Sequence, residues 1–214
     1  MRALFYGSEH APYHPMEEVG RRVQELLPEL EIRLTDREGE LRELERETYD
    51  ICFLYTDFEN PPLARETAAA LLGFAAQGGG IFAIHGGIAI QNRPELGQLL
   101  GGIFTGHPPY DGLPTVYYKV ADPAHPLTAG VEDFAIPDEL YLFELPKLED
   151  RRIFLSYEEK GVLYPAGWTR EYGLGRVVYL CCGHNVHAFE EEMLCRLIKN
   201  GAEWLMERRN KQDA

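Results

Sequence analysis

Two histidines each come directly after a predicted buried strand. His85 follows the apolar run Ile81–Ile84 and precedes two glycines, and His184 follows the apolar run Val177–Cys182 and one glycine. In doubly wound sheets, ligands bind beyond the carboxyl ends of the strands. We therefore expect both imidazoles at one edge of the sheet, where they could transfer protons or bind a metal.

Gly86 and Gly87 suggest how His85 is presented. A sharp turn at the end of a strand, relieved by glycines, holds one side chain up at the sheet edge. Hydrolases place serine or cysteine there, whereas this chain has His85. We expect Gly86 and Gly87 to contribute to substrate binding. The alternative is a histidine that only hydrogen-bonds a loop.

Two further segments carry candidate site residues. His107 lies between Gly106 and Pro108, in a loop restricted by these residues. Asp138 and Glu139 begin a predicted strand. We interpret Asp138 as a turn residue and Glu139 as a carboxylate for acid–base chemistry or metal binding.

Together these residues predict one of two chemistries. His85, His107 and His184 could bind zinc or a similar divalent ion, which would polarise a carbonyl group or activate water. Without a metal, His85 or His184 could act as a base beside Glu139 as the acid. The sequence does not choose between the two.

Aromatic residues could present a face to a sugar ring. Tyr110, Tyr141 and Trp168 are the candidates for substrate binding, although such residues can equally belong to the core. The cysteines Cys181 and Cys182 point to opposite faces of one strand, so we interpret them as packing residues and not as a metal pair.

Four histidines have no assigned place in this scheme. His10 and His14 lie in the loop after the first strand, which also opens at the carboxyl edge of the sheet, so His14 could contribute to the site. His125 precedes a proline and is interpreted as a turn anchor. The sequence does not say which of these residues, or His187, reach the pocket.

The first half of the chain alternates strands and helices, which predicts right-handed crossovers and a parallel sheet. Helices are expected after Pro15 and from Asn60-Pro61 onward, and Asp36–Glu47 is expected to be an exposed helix or loop. The predicted strands of this half are Arg2–Gly7, Glu31–Leu34, Asp50–Tyr55 and Ile81–Ile84.

The second half is richer in aromatic residues and turn formers. A closing helix is predicted over Phe189–Arg208, where Gly201 suggests close packing. The predicted strands of this half are Thr115–Val120, Leu140–Leu145, Arg152–Tyr157, Val162–Trp168 and Val177–Cys182.

Composition excludes several classes of protein. The 214 residues carry a net charge of −14, which argues against nucleic-acid binding. No apolar run is long enough for a membrane span, and the first residues are too short an apolar stretch for a signal peptide. The spacing of the four cysteines is not that of a disulfide framework. We therefore expect the cysteines to be reduced and the protein to be cytoplasmic.

An ordered set of motifs resembles the ThuA-like (trehalose utilisation) family over nearly the whole chain. The motifs are Gly78–Gly87, Phe104 with Gly106-His107-Pro108, His125-Pro126-Leu127-Thr128 with Gly130, Asp138-Glu139 with Tyr141, Trp168 with Tyr172-Gly173 and Gly175-Arg176-Val177, Gly183-His184, and Asn200-Gly201 with Glu203-Trp204.

The resemblance implies one ThuA-like domain over residues 1–214 with a class I glutamine amidotransferase-like fold. That is an α/β fold, a flavodoxin-like three-layer sandwich with a mainly parallel sheet. It also implies a link to bacterial metabolism of trehalose or keto-sugars. Amidotransferases carry a cysteine nucleophile where this chain has His85, so glutaminase activity is not expected.

Two functions therefore remain open. The first is an enzyme that acts on a sugar-derived small molecule. The second is a non-catalytic module that binds a carbohydrate or a protein on the same fold. A homo-oligomer is left open as well, because aromatic residues of the second half could form an interface.

Overall fold

A mixed sheet of nine strands organises the computed structural model, which describes residues 1–9 and 13–212. The strand order is β2-β1-β3-β4-β11-β10-β9-β6-β7. These strands are β1 (Arg2–Gly7), β2 (Glu31–Thr35), β3 (Ile51–Tyr55), β4 (Gly80–Ile84), β6 (Thr115–Val120), β7 (Phe134–Pro137), β9 (Arg152–Glu159), β10 (Val162–Tyr172) and β11 (Gly175–Leu180).

Five neighbouring strands, β2, β1, β3, β4 and β11, pair in parallel. All residues of β3 and β4 are buried. Strands covered on both faces need continuous apolar sequence, which ICFLY and GIFAI supply. The predicted α/β fold class with a parallel core is confirmed.

Helices cover both faces of the parallel strands. One group is α1 (Met16–Leu26) with α5 (Glu192–Gln212), and the other is α2 (Glu38–Arg42), α3 (Arg65–Ala76) and α4 (Pro94–Leu100). A Cβ added at Gly201 of α5 would lie 2.7 Å from the ring of Phe82. The close packing predicted at Gly201 is therefore confirmed.

The strands β10, β9, β6 and β7 extend the sheet in antiparallel pairing. Burial alternates along β6, where Tyr117 is exposed and Tyr118 is buried, as expected for strands with one face toward solvent. The predicted strand Val162–Trp168 is too short. It continues to Tyr172 because its second half pairs with β11.

A second, two-stranded sheet pairs β5 (Ile103–Gly106) with β8 (Leu142–Glu144). The predicted strand Leu140–Leu145 is thus longer than the observed one. The residues just before β8 lie outside the ladder, where the Tyr141 carbonyl accepts a hydrogen bond from the Tyr157 hydroxyl (2.8 Å). Three 3₁₀ segments complete the fold, at His85–Asn92, Pro126–Thr128 and Val186–Glu190.

Helix boundaries differ from the predictions in three places. Only Glu38–Arg42 of the charged segment is helical. Helix α3 starts at Arg65 and not at Asn60, because the Glu38 carboxylate caps it by accepting hydrogen bonds from Ala64 N (2.7 Å) and Thr67 Oγ1 (2.5 Å). The closing helix starts at Glu192, since a 3₁₀ segment occupies the residues before it.

No helix within the described residues combines the length and the apolar character that a membrane crossing requires. The cysteines are free thiols, and Cys52, Cys181 and Cys182 are fully buried. Burial raises the pKa of Cys181 and Cys182 well above the usual value. Their surroundings agree with the predicted packing role.

Candidate functional site

Four side chains from distant parts of the chain meet at the carboxyl edge of the parallel strands. His14 precedes α1, His85 ends β4, Glu139 lies between β7 and β8, and His184 follows β11. One donor atom from each lies within 4.8 Å of the other three. The strand ends therefore bring together His85, Glu139 and His184 as predicted, and His14 joins them.

His85 adopts a backbone conformation that few residues with a side chain tolerate. Its φ angle is +44°, in the left-handed region, which costs of order 1–3 kcal/mol for a residue other than glycine. The Tyr179 hydroxyl donates a hydrogen bond to the His85 carbonyl (3.2 Å) and helps to hold the turn. This left-handed backbone conformation directs the imidazole out of the strand and into the site.

Gly86 and Gly87 serve the packing of this turn. A Cβ at Gly86 would lie 2.1 Å from Thr56 O, and a Cβ at Gly87 would lie 2.2 Å from Leu54 O. Thr56 Oγ1 also donates a hydrogen bond to Gly86 O (2.9 Å). Both glycines allow a close approach to the end of β3 that a side chain would block, and their substrate-binding role stays a prediction.

The hydrogen bond at the far side of His85 determines which nitrogen faces the site. Nδ1 lies 2.6 Å from the carbonyl oxygen of Cys181. A carbonyl oxygen only accepts, so Nδ1 must carry the proton. In the neutral ring, Nε2 therefore presents a bare lone pair to the centre of the site.

That lone pair faces a carboxylate oxygen and a second imidazole nitrogen. His85 Nε2 lies 3.2 Å from Glu139 Oε2 and 3.3 Å from His184 Nδ1, and Glu139 Oε2 lies 3.3 Å from His184 Nδ1. The bare His85 Nε2 and the Glu139 carboxylate are both acceptors, so their approach is stabilised by a proton on His184 Nδ1, which can donate to Glu139, or by a positive charge between them. Protonated imidazole or a bound cation can supply that charge.

His14 brings a further donor atom. Its ring is 4.9 Å from the His85 ring and 5.1 Å from the His184 ring, measured between centroids. His14 Nε2 is buried and has no hydrogen-bond partner, which is costly for a polar atom. Three imidazoles and one carboxylate are a donor set typical of zinc and similar divalent ions. The orphaned Nε2 atom fits such an ion.

Asp138 fixes the loops that carry these ligands. Its fully buried carboxylate accepts hydrogen bonds from Gly183 N (2.8 Å), Glu139 N (2.9 Å) and His184 N (3.3 Å). The Tyr118 hydroxyl donates to it as well (3.3 Å). The predicted interpretation of Asp138 as a simple turn residue is wrong, because it connects the segment before β8 to the loop after β11.

The electrostatics of the site keep Glu139 ionised. Burial raises the pKa of Glu139, but the hydrogen bond from His184 and the neighbouring imidazoles outweigh burial and hold this pKa well below its usual range. Burial lowers the pKa of His184, yet the Glu139 carboxylate outweighs it and raises that pKa. Burial lowers the pKa of His14, which favours the neutral ring that metals bind.

A cavity of about 530 Å³ opens in front of these residues. Its wall is largely aromatic, and none of the described residues that line it is lysine or arginine. The lining includes the rings of Tyr13, His14, Phe58, Phe104, His107 and Tyr141 and the carboxylates of Asp57, Glu59 and Glu139.

The remaining predicted site residues take different places around this cavity. His107 is a wall residue and not part of the donor set, so the predicted metal set of His85, His107 and His184 needs correction in favour of His14. Tyr141 packs against the His85 ring at 4.3 Å. Tyr110 packs against the His107 ring at 5.1 Å, and burial together with the nearby Glu139 carboxylate raises the pKa of its hydroxyl.

Trp168 lies in the core. Its side chain is fully buried, and Nε1 donates a hydrogen bond to Leu100 O (2.8 Å). The ring packs against Tyr179 and Phe143. The predicted contact with a sugar is therefore wrong for Trp168, because β10 directs this residue into the space between its sheet and α4.

The other histidines lie elsewhere or outside the described residues. His125 Nδ1 accepts a hydrogen bond from Leu127 N (3.1 Å), which confirms the predicted turn anchor. His187 is exposed and faces Glu190. His10 belongs to the residues that the structure does not describe.

Fold and site together define a class: an α/β protein with a mainly parallel core sheet and a cluster of histidines and a carboxylate at the carboxyl edge of that sheet. The ThuA family model, described as trehalose utilisation, matches residues 2–205. The chain belongs to this family. A search of curated protein sequences finds no match.

Solved structures with the same fold include two ThuA-like proteins. One, from Parabacteroides merdae, has a TM-score of 0.76 and 18% identity over 97% of this chain and 90% of that one. The other, from Bacteroides uniformis, has a TM-score of 0.74 and 20% identity over 96% and 91%. The β-galactosidase Gan42B from G. stearothermophilus matches over 98% of this chain but 30% of its own, at 13% identity and a TM-score of 0.64.

Proposed function

We propose that this protein is an enzyme of bacterial carbohydrate metabolism that acts on an uncharged sugar derivative with the help of a divalent metal ion. The single observation that carries the proposal is the convergence of His14, His85, Glu139 and His184 within 4.8 Å, beside an aromatic cavity that His14 and Glu139 help to line. A glutaminase is not proposed, because His85 stands where the nucleophile would be.

The lining of the cavity supports an uncharged substrate. Aromatic faces such as Phe104 and Tyr13 suit the apolar faces of a sugar ring. Asp57 and Glu59 add negative charge, and the described lining offers no basic side chain to pair a phosphate or carboxylate. The net charge of −14 repels anions further.

The residues of the chain would divide the work as follows. A divalent ion held by the four ligands would supply polarisation of a carbonyl or hydroxyl oxygen of the ligand. His107 and the Tyr110 hydroxyl, in the loop beside the cavity, would hydrogen-bond and orient the substrate. Buried rings such as Tyr141 exclude water from the His85 side of the site.

A cytoplasmic location is part of the proposal. Two structural neighbours from Salmonella typhimurium are described as cytoplasmic proteins, with TM-scores of 0.64 and 0.60. The free thiols of the chain agree with a reducing compartment.

The test is conversion of a sugar panel by the zinc-, manganese- or cobalt-loaded protein, followed by NMR. The panel pairs neutral sugars and keto-sugars with their phosphorylated or carboxylated analogues. We expect conversion of a neutral member by the wild type and loss of at least about 100-fold in rate for Glu139→Gln, which removes a charge but keeps the shape.

His187→Gln is the matched control, because His187 is exposed and faces away from the site. It should retain full activity. Thermal stabilisation by a sugar without any conversion would overturn the enzyme and favour the binding module. Conversion only of the anionic analogues would overturn the proposed substrate class.

A further inference from the structure

His14 and Asp57 form a buried pair beside the metal ligands. The Nδ1 atom of His14 lies 3.2 Å from Oδ2 of Asp57, and the two side chains are 5% and 3% exposed. The other oxygen, Oδ1, accepts a hydrogen bond from Glu59 N (3.0 Å), which orients the carboxylate. Asp57 follows β3 by two residues, so the sheet itself places it at this edge.

Burying the His14–Asp57 pair without full hydrogen bonding costs free energy of folding. His14 Nε2 is buried and has no hydrogen-bond partner, while Nδ1 and Asp57 Oδ2, both buried, face each other. Buried polar atoms without partners are rare and require a physical explanation. A satisfactory explanation has to cover both Nδ1 and Nε2 of His14.

The orientation of the His14 ring gives each of its two nitrogens a separate role. Because Nδ1 faces Asp57, Nε2 is the nitrogen left to bind an ion, and His14 offers one ring nitrogen within 4.8 Å of ligand atoms of His85 and His184. Metal-binding histidines almost always donate the proton of their second nitrogen to a carboxylate or carbonyl group, which fixes the ring and raises its basicity.

His85 shows the same arrangement with a different acceptor. Its outer nitrogen contacts the carbonyl oxygen of Cys181 at 2.6 Å. Nδ1 of His14 therefore faces a charged acceptor, the Asp57 carboxylate, whereas Nδ1 of His85 faces a neutral one, the Cys181 carbonyl oxygen. A carboxylate draws the proton to Nδ1 of His14 more strongly and leaves Nε2 as the better electron donor.

We propose that Asp57 is a positioning residue of the metal centre, which acts through His14 and makes this histidine its fourth ligand. The inference rests on the metal of the proposed function and extends it to two residues outside the predicted donor set. It concerns affinity for the ion, so it is tested without a substrate.

The test measures zinc affinity by competition with a chromophoric chelator. We expect Asp57→Ala and Asp57→Asn to weaken zinc binding by about 10–100-fold, the usual effect of removing an outer-shell carboxylate. His14→Ala should lose at least as much. The absorption spectrum of the cobalt-loaded protein should change shape in all three variants, because the ligand field changes.

A double-mutant cycle separates positioning from a general structural effect. If Asp57 acts through His14, the double variant His14→Ala/Asp57→Ala should bind zinc no more weakly than His14→Ala alone. Asp36→Asn is the matched control, because Asp36 is an exposed carboxylate after β2 at the same edge. It should leave affinity and spectrum unchanged.

A failure of the proposed metal site and a failure of the role of Asp57 give different results. No zinc bound by the wild type would overturn the metal of the proposed function and this inference with it. Zinc bound by the wild type and equally by His14→Ala would overturn the inference and reduce the donor set of the proposed function to His85, Glu139 and His184, while the metal itself would stand. Additive losses in the double variant would also overturn it, since Asp57 would then act by another route.

Discussion

The carboxylate of Asp138 accepts a hydrogen bond from the backbone N–H of Gly183 at 2.8 Å. This bond joins the antiparallel extension of the sheet to the end of its parallel half. His184 follows Gly183 and Glu139 follows Asp138, so the same contact sets the distance between two proposed ligands. It is a structural bond on which the chemistry of the site depends.

Asp138→Ala should therefore damage both fold and site. The variant leaves buried N–H donors of Gly183 and Glu139 without acceptors, at about 1–3 kcal/mol for each. Urea denaturation should show a loss of about 2–4 kcal/mol in unfolding free energy, together with weaker zinc binding. Glu132→Ala, at an exposed position, serves as control and should change neither quantity.

Metal content should discriminate between the two donor sets. Elemental mass spectrometry after zinc loading should find the ion in wild type and in His107→Ala, because His107 is a wall residue. The ion should be depleted in His14→Ala, His85→Ala and His184→Ala. Loss of zinc from His107→Ala with retention in His14→Ala would restore the donor set expected from the sequence.

Gly86→Ala should disrupt the turn that presents His85. The new Cβ would approach Thr56 O to 2.1 Å, and backbone cannot move aside as a flexible side chain can. We expect a loss of about 1–3 kcal/mol or more in unfolding free energy and loss of the metal. Gly39→Ala makes the comparison clean, since a Cβ there has no neighbour within 4 Å. Equal stability of the two variants would contradict the packing role of Gly86.

Stability should fall with acid partly because of His125. Burial, with repulsion from Arg152, lowers the pKa of His125 to about 4, against about 6.5 in the unfolded chain. Between these values the unfolded chain binds a proton that the native protein does not, so stability decreases as the pH falls from about 6.5 to about 4. Above about 6.5 the residue contributes no pH dependence.

Urea denaturation at pH 7 and pH 5 checks this sign. His125→Gln should lose less stability between the two pH values than the wild type does. His187→Gln, at an exposed ring, should behave like the wild type. The same pH dependence in His125→Gln as in wild type would refute the assignment to His125.

Much of this arrangement was predictable from residue order. Apolar runs that end in glycine and histidine, at His85 and His184, indicate the carboxyl edge because parallel strands end together. Asp57 carries the same signal, two residues after the run Ile51–Tyr55, although a pattern centred on histidines leaves it out. Attention to every polar residue at a strand end would have included it.

Other features had no local signal. His14 lies in a loop whose direction depends on the packing of α1, so its distance from His184 is a tertiary property. The prediction for Trp168 is wrong because alternation along a strand tells which face of the sheet a residue occupies. It does not tell which element covers that face, and here it is α4. Asp138 has turn-forming chemistry, and only burial reveals that its oxygens serve another loop.

The wide sequence separation of the site residues has a mechanical consequence. His85 stands 99 residues from His184 and 54 from Glu139, so an ion held by all of them clips together segments from most of the chain. Such an ion binds the native state and not the open one, and it raises stability in proportion to the logarithm of its concentration. The cell's supply of metal would then set the free energy of unfolding of the protein as well as the occupancy of its site.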